Sequence, residues 1–172
     1  NIQTVSGIIS PDQLGPTMTH EHLLIDFTCM FREPEDTRFI NLAYQPVDLT
    51  NLGWVRYHSY MSRDNLLLDD LETAIREASF FKHAGGGTIV DVTTYGIGRD
   101  PVGLKKISEI TGINVISGAG FYVNAVHPEN MDELSESYLA EKISNEVLVG
   151  IDGTDIRAGI IGEIGCTWPL HK

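Results

Sequence analysis

The sequence predicts an α/β fold, a parallel sheet with helical crossovers made of about four β/α units. Three observations carry this expectation. Short β-branched runs recur along the chain, stretches with apolar residues every three or four positions separate them, and glycines or capping residues mark the joints. The same order fits an open sheet or the first half of a closed barrel. A complete (β/α)8 barrel takes about 250 residues, and the 172 residues here reach a fourth strand near residue 164.

Residues 2–9 (IQTVSGII) read as one short strand, with turns at Pro11-Asp12 and Gly15-Pro16. Residues 18–24 form the next strand. Residues 27–63 contain Pro34, Pro46 and many polar and aromatic side chains, and so long a connection is expected to be a functional loop or lid. Over residues 65–84, Leu67, Leu71, Ile75, Ala78 and Phe81 define one helix face, and Gly85 supplies a left-handed stop. Residues 87–93 (GTIVDVT) are a buried strand. A helix follows over residues 101–111, with Asp100 as its cap and Pro101 in its first turn. Residues 114–118 are a strand, 131–149 a longer amphipathic helix, and 156–164 a fourth strand.

Bulk properties narrow the function. The formal net charge of −12 argues against nucleic acid or an anionic membrane as partner, since either calls for a basic patch. The carboxylates are dispersed and read as a solvated surface. No apolar run approaches the roughly 20 residues of a membrane span. Cys29 and Cys166 alone make no disulfide scaffold, although a single bridge between them stays open, and a reducing, cytoplasmic setting is expected. The start shows no basic-then-apolar leader pattern.

The chemistry is expected at the C-terminal ends of the strands, where parallel α/β folds bind ligands. Alternation along a strand puts His20 and His22 on one face and Glu21 on the other. Two imidazoles at one strand end suit a divalent metal, or simply a hydrogen-bonded pair. Glu163 ends the fourth strand; it is either a bridging carboxylate or a helix cap or partner of Arg99.

Four separated motifs resemble the phosphotriesterase family of the amidohydrolase superfamily: GPTMTHEH at 15–22, GIGRD at 96–100, GAGFY at 118–122 and GIIGEIG at 159–165. The resemblance implies a (β/α)8 TIM barrel of the metal-dependent hydrolase type, of which these residues are only the first half. It implies a centre of two divalent metal ions, zinc being expected, with His20 and His22 on one ion and Glu163 bridging both. It also implies two further histidines and a proton-accepting aspartate from later strands, beyond residue 172; His171 follows Glu163 too closely to be one of them. Residues 1–172 are therefore expected to be the N-terminal part of one barrel domain, not active by itself. The implied activity is hydrolysis of a small ester or amide by metal-activated water, with N-acyl amides of the N-acyltaurine type as leading substrates. Lactonase or phosphotriesterase activity is the alternative, and a non-catalytic fragment or binding protein is the alternative of another class. The expected partner is a small molecule, and a homodimer is left open.

Other residues get smaller roles. Phe121 and Tyr122 line the substrate pocket or pack in the core. Arg99 and Asp100 are structural, Asp100 as a helix cap, or orient substrate. His127 is a surface residue or a substrate contact, and His83 suits a helix C-terminus. Cys166 is expected to be packed, while Tyr95, Trp54 and Trp168 are pocket walls. Residues 152–155 (DGTD) are a tight turn and not a calcium loop.

Overall fold

A computed structural model describes residues 1–170, so His171 lies outside the described residues. The central sheet has four parallel strands in the order β3-β6-β7-β8: β3 (Thr17–Glu21), β6 (Thr88–Asp91), β7 (Asn114–Ala119) and β8 (Ile160–Ile161). The helices α3 (Leu71–His83), α4 (Pro101–Thr111) and α5 (Glu136–Leu148) make the crossovers. The outer edges of β3 and β8 carry no strand partner among the described residues. This is the parallel half-barrel that the sequence predicts. No described helix is long and apolar enough to cross a membrane.

Each face of the sheet has its own core. On the helix side Ile89 and Val115 pack with Ala74 and Ala78 of α3 and with Leu104 and Ile107 of α4. On the opposite face Val90, Val92 and Ile116 meet Ile2 and Leu14. Ile2 belongs to an antiparallel pair, β1 (Ile2–Thr4) and β2 (Gly7–Ile9), where one strand was expected over residues 2–9. The Val5-Ser6 turn divides it, and Val5 N–H donates to the Val115 carbonyl at 2.9 Å, tying the hairpin to β7.

Local signals set the helix ends. Asp100 accepts from Gly103 N–H at 2.8 Å and caps α4 at its expected boundary. Asp70 accepts from Glu72 N–H and starts α3 six residues later than the periodicity predicts, and Gly85 takes φ +95° just past its end. The helix predicted from residue 131 begins at Glu136, because the Ser135 hydroxyl accepts from Tyr138 N–H and Leu134 is extended. The strand predicted over residues 156–164 shrinks to Ile160–Ile161, although Gly159 and Gly162 N–H groups still donate to Ser117 and Ala119 carbonyls of β7.

The long connection is an ordered excursion. It leaves and returns through the antiparallel pair β4 (Ile25–Asp26) and β5 (Leu67–Leu68). It carries two short helices, α1 (Ile40–Ala43) and α2 (Leu52–Tyr57), which bury Ala43 and Val55. Phe39, Trp54 and His58 stack inside it, Trp54 on His58 at 4.8 Å. Outside the sheet, an apolar groove of about 380 Å³ runs between β3 and α3, bordered by Met18, Glu21, Leu23, Ala74 and Phe81.

Candidate metal centre

A bulge in β3 aims the two histidines. Met18 pairs with Ile89 and Glu21 with Asp91, so three steps on β3 match two on β6. Met18 packs into the helix-side core. In a regular strand His20 and His22 would share its face and point at the helices. The extra residue resets the alternation: Glu21 borders the helix-side groove, which His22 also touches, and both imidazoles reach Glu163.

Glu163 reaches them by crossing the end of β7. Its N–H donates to the Val92 carbonyl at 3.0 Å, and the Thr94 hydroxyl donates to its carbonyl at 3.2 Å. The crossing needs Gly118, because a Cβ there would overlap the Gly162 carbonyl oxygen. Glu163 then faces both imidazoles, with Oε2 3.3 Å from His20 Nε2 and Oε1 3.5 Å from His22 Nε2. One ligand atom from each of the three residues lies within 4.8 Å of the other two. The structure therefore brings together the three side chains expected to hold metal. Arg99, the alternative partner of Glu163, instead pairs with Glu146 and Asp152.

The electrostatics suit a cation. Burial, then the neighbouring His20, lowers the pKa of His22 and favours the neutral imidazole that metals require. Burial raises the pKa of Glu163, and His20 opposes that shift. An imidazole nitrogen from each of exposed His20 and half-buried His22, with the two carboxylate oxygens of Glu163, converge in a set that fits a divalent ion.

Aromatic side chains flank the cluster. Tyr122 lies near enough for burial and the Glu163 charge to raise its pKa. Its ring is 5.8 Å from Phe27, which is 6.4 Å from Tyr60 at the far end of the long connection. Phe27 and Tyr60 carry no sequence signal beyond belonging to an aromatic-rich loop. Phe121 packs on Tyr95 at 5.4 Å and edge-on to His127 at 6.3 Å. His127 is thus half-buried and not on the open surface. Cys166 is exposed where packing was expected, and it borders an open hollow of about 240 Å³ with His127 and Met131. Trp168 is 89% exposed and walls nothing among the described residues, while Trp54 belongs to the loop's own stack. His83 is exposed at the end of α3. Asp152 sits at a turn with φ +51°, and its carboxylate also accepts from Arg99.

Two imidazoles and a carboxylate over the C-terminal ends of parallel half-barrel strands make a donor set that can hold a divalent ion. The chain belongs to the phosphotriesterase family, whose sequence model matches residues 1–172. It is 49% identical over 172 residues to an N-acetyltaurine hydrolase of Xenopus tropicalis, covering 99% of this chain and 49% of that protein. It is 44% identical over 172 residues to the Homo sapiens N-acetyltaurine hydrolase, covering 99% of this chain and 49% of that protein. Among solved structures, a resiniferatoxin-binding protein from Rhodobacter sphaeroides superposes with a TM-score of 0.96 at 42% identity, over 99% of this chain and 48% of that one. The chain thus spans about half the length of the relatives it matches.

Proposed function

We propose that residues 1–172 are the N-terminal part of a barrel domain whose complete form is a metal-dependent hydrolase of small N-acyl amides of the N-acyltaurine type. The observation that carries this reading is the convergence of His20 and His22 Nε2 on the two oxygens of Glu163. His20 and His22 would hold one divalent ion, with zinc favoured by the imidazole–carboxylate set, and Glu163 would bridge it to a second. When bound there, the metal would supply activation of water and polarisation of the bond under attack. The residues of this chain orient and shield. Glu163 presents one oxygen to each imidazole, and the ring chain Tyr122–Phe27–Tyr60 beside it would line the side of the site that takes the substrate's apolar part. The remaining ligands and a proton-accepting aspartate belong to the later strands of the complete barrel. Both cysteines are free, which supports a reducing, cytoplasmic setting.

The two N-acetyltaurine hydrolases favour an amide substrate over a lactone or a phosphotriester. A second reading, binding without turnover, is favoured by the bacterial relative named for binding resiniferatoxin. The complete protein decides between them. With N-acetyltaurine, a lactone and a phosphotriester as substrates, the amide is expected to turn over fastest. His20→Asn, His22→Asn and Glu163→Gln should each lower both metal content and turnover. Full metal content and full activity in the doubly substituted His20→Asn/His22→Asn protein would overturn the metal reading, and absence of turnover by metal-loaded protein would leave binding.

A further inference from the structure

We infer that Thr93 is a positioning residue that locks His22 in the tautomer with its proton on Nδ1, leaving the Nε2 lone pair facing the site. The inference rests on the reading of His22 as a metal ligand, and it concerns the opposite side of the ring. His22 Nδ1 lies 2.9 Å from Thr93 Oγ1. The same hydroxyl is 3.3 Å from the Leu24 carbonyl oxygen. A hydroxyl has one proton, and a carbonyl oxygen can only accept. With the Thr93 proton given to Leu24, Oγ1 is left as an acceptor, and its partner must be an Nδ1–H. The lone pair of His22 is then on Nε2, the nitrogen 3.5 Å from Glu163 Oε1. The other tautomer would put a proton on the nitrogen meant to hold the ion.

Thr93 is itself held in place. Asp91, fully buried at the end of β6, accepts from Thr93 N–H at 3.0 Å through one oxygen and from Leu23 N–H at 2.6 Å through the other. One carboxylate thus fixes the backbone on both sides of the His22–Thr93 contact: the residue after the histidine, and the threonine. Metal-ligating histidines usually donate their second N–H to a carboxylate, a carbonyl or water, and losing that partner typically weakens metal binding about 10–100-fold. Here a threonine hydroxyl takes that place, with its own proton passed on to a carbonyl. Within the run GTIVDVT the threonine looks like an ordinary strand former, so sequence alone gives it no such role.

The test uses the complete protein, stripped of metal and titrated with Zn²⁺ alone. Thr93→Val, close to isosteric, should weaken binding about 10–100-fold, and Thr93→Ser, which keeps the hydroxyl, should restore it. Nitrogen-15 spectra of the zinc-loaded wild type, which need no variant, should show His22 protonated at Nδ1. A Thr93→Val protein that binds zinc like wild type, a Thr93→Ser protein as weak as Thr93→Val, or a His22 lacking an Nδ1 proton would each overturn the inference. His22→Asn, run in parallel, separates the two readings. If it loses zinc while Thr93→Val does not, the positioning role alone fails; if it keeps zinc, the ligand reading fails.

Discussion

Two polar clusters sit near the strand ends, and one is complete where the other is not. The Arg99 side chain is 1% exposed and uses all five guanidinium N–H groups: two to Glu146, two to Asp152 and one to the Gly118 carbonyl. Glu146 also accepts from Gly120 N–H at 3.1 Å. Burial works against the Arg99 charge, but the two carboxylates outweigh it and hold its pKa above the usual value. In the second cluster Glu163 faces two imidazoles at 3.3 and 3.5 Å, burial lowers the pKa of one of them, and its own pKa is raised. The first arrangement has every donor matched and joins α5, the end of β7 and the turn before β8. The second is short of positive charge, as a place for a cation should be. A polar cluster that satisfies itself is architecture, and one that does not is available for chemistry.

The largest expected effect breaks the complete cluster. Arg99→Met in the full-length protein leaves Glu146 buried without its partner and should cost about 3–5 kcal/mol in denaturant unfolding. The folded fraction should keep its metal content. Loss of metal with little loss of stability would invert the comparison. A smaller effect is expected where the two clusters meet, at Gly118, whose carbonyl accepts from Arg99 and whose missing Cβ lets Gly162 pass on the way to Glu163. Gly118→Ala should cost about 1–3 kcal/mol by overpacking. It should also weaken metal binding, because the crossing that delivers Glu163 has to shift. Unchanged zinc affinity in that variant would show that Glu163 does not depend on this close approach.

What the sequence revealed of each cluster follows the distance over which the information acts. The α4 boundaries were legible because Asp100 and Pro101 act on the adjacent turn. That His20 and His22 share a face was legible from strand alternation. Which face was not, because the bulge between Met18 and Glu21 depends on pairing with β6, some 70 residues on. The end of the fourth strand pointed to Glu163, but its path over Gly118 is tertiary. Arg99 and Glu146 are 47 residues apart, and nothing local joins them, so a buried ion pair was left out and Arg99 stayed an open choice. The exposure of Cys166 and the half-burial of His127 were illegible for the same reason: in loops both depend on what packs beside them.

A pH-dependent effect sharpens the comparison from beneath the open cluster. Asp91 is fully buried, and burial pushes its pKa from an ordinary value near 3.8 up to about 6, against the pull of its bonds from Leu23 and Thr93. A carboxyl raised in the folded state binds a proton there that the unfolded chain has already lost. Between the two values the folded protein holds more protons, so its contribution to stability falls as pH rises from 3.8 to about 6 and is level above that. His22 acts in the opposite sense: its lowered pKa makes stability fall as pH drops below the unfolded value near 6.5. The two slopes overlap, and a single pH–stability curve would blur them. Asp91→Asn separates them, since subtracting its curve from that of wild type cancels His22 and every other group. The wild-type advantage should shrink with rising pH across that window, on top of a constant offset of about 1–3 kcal/mol for the acceptor that asparagine cannot supply to both N–H groups. Denaturant unfolding of the complete, metal-free protein at a series of pH values measures it. A difference independent of pH would mean that Asp91 titrates as an ordinary carboxylate, and that the support beneath His22 is as well satisfied as the Arg99 cluster.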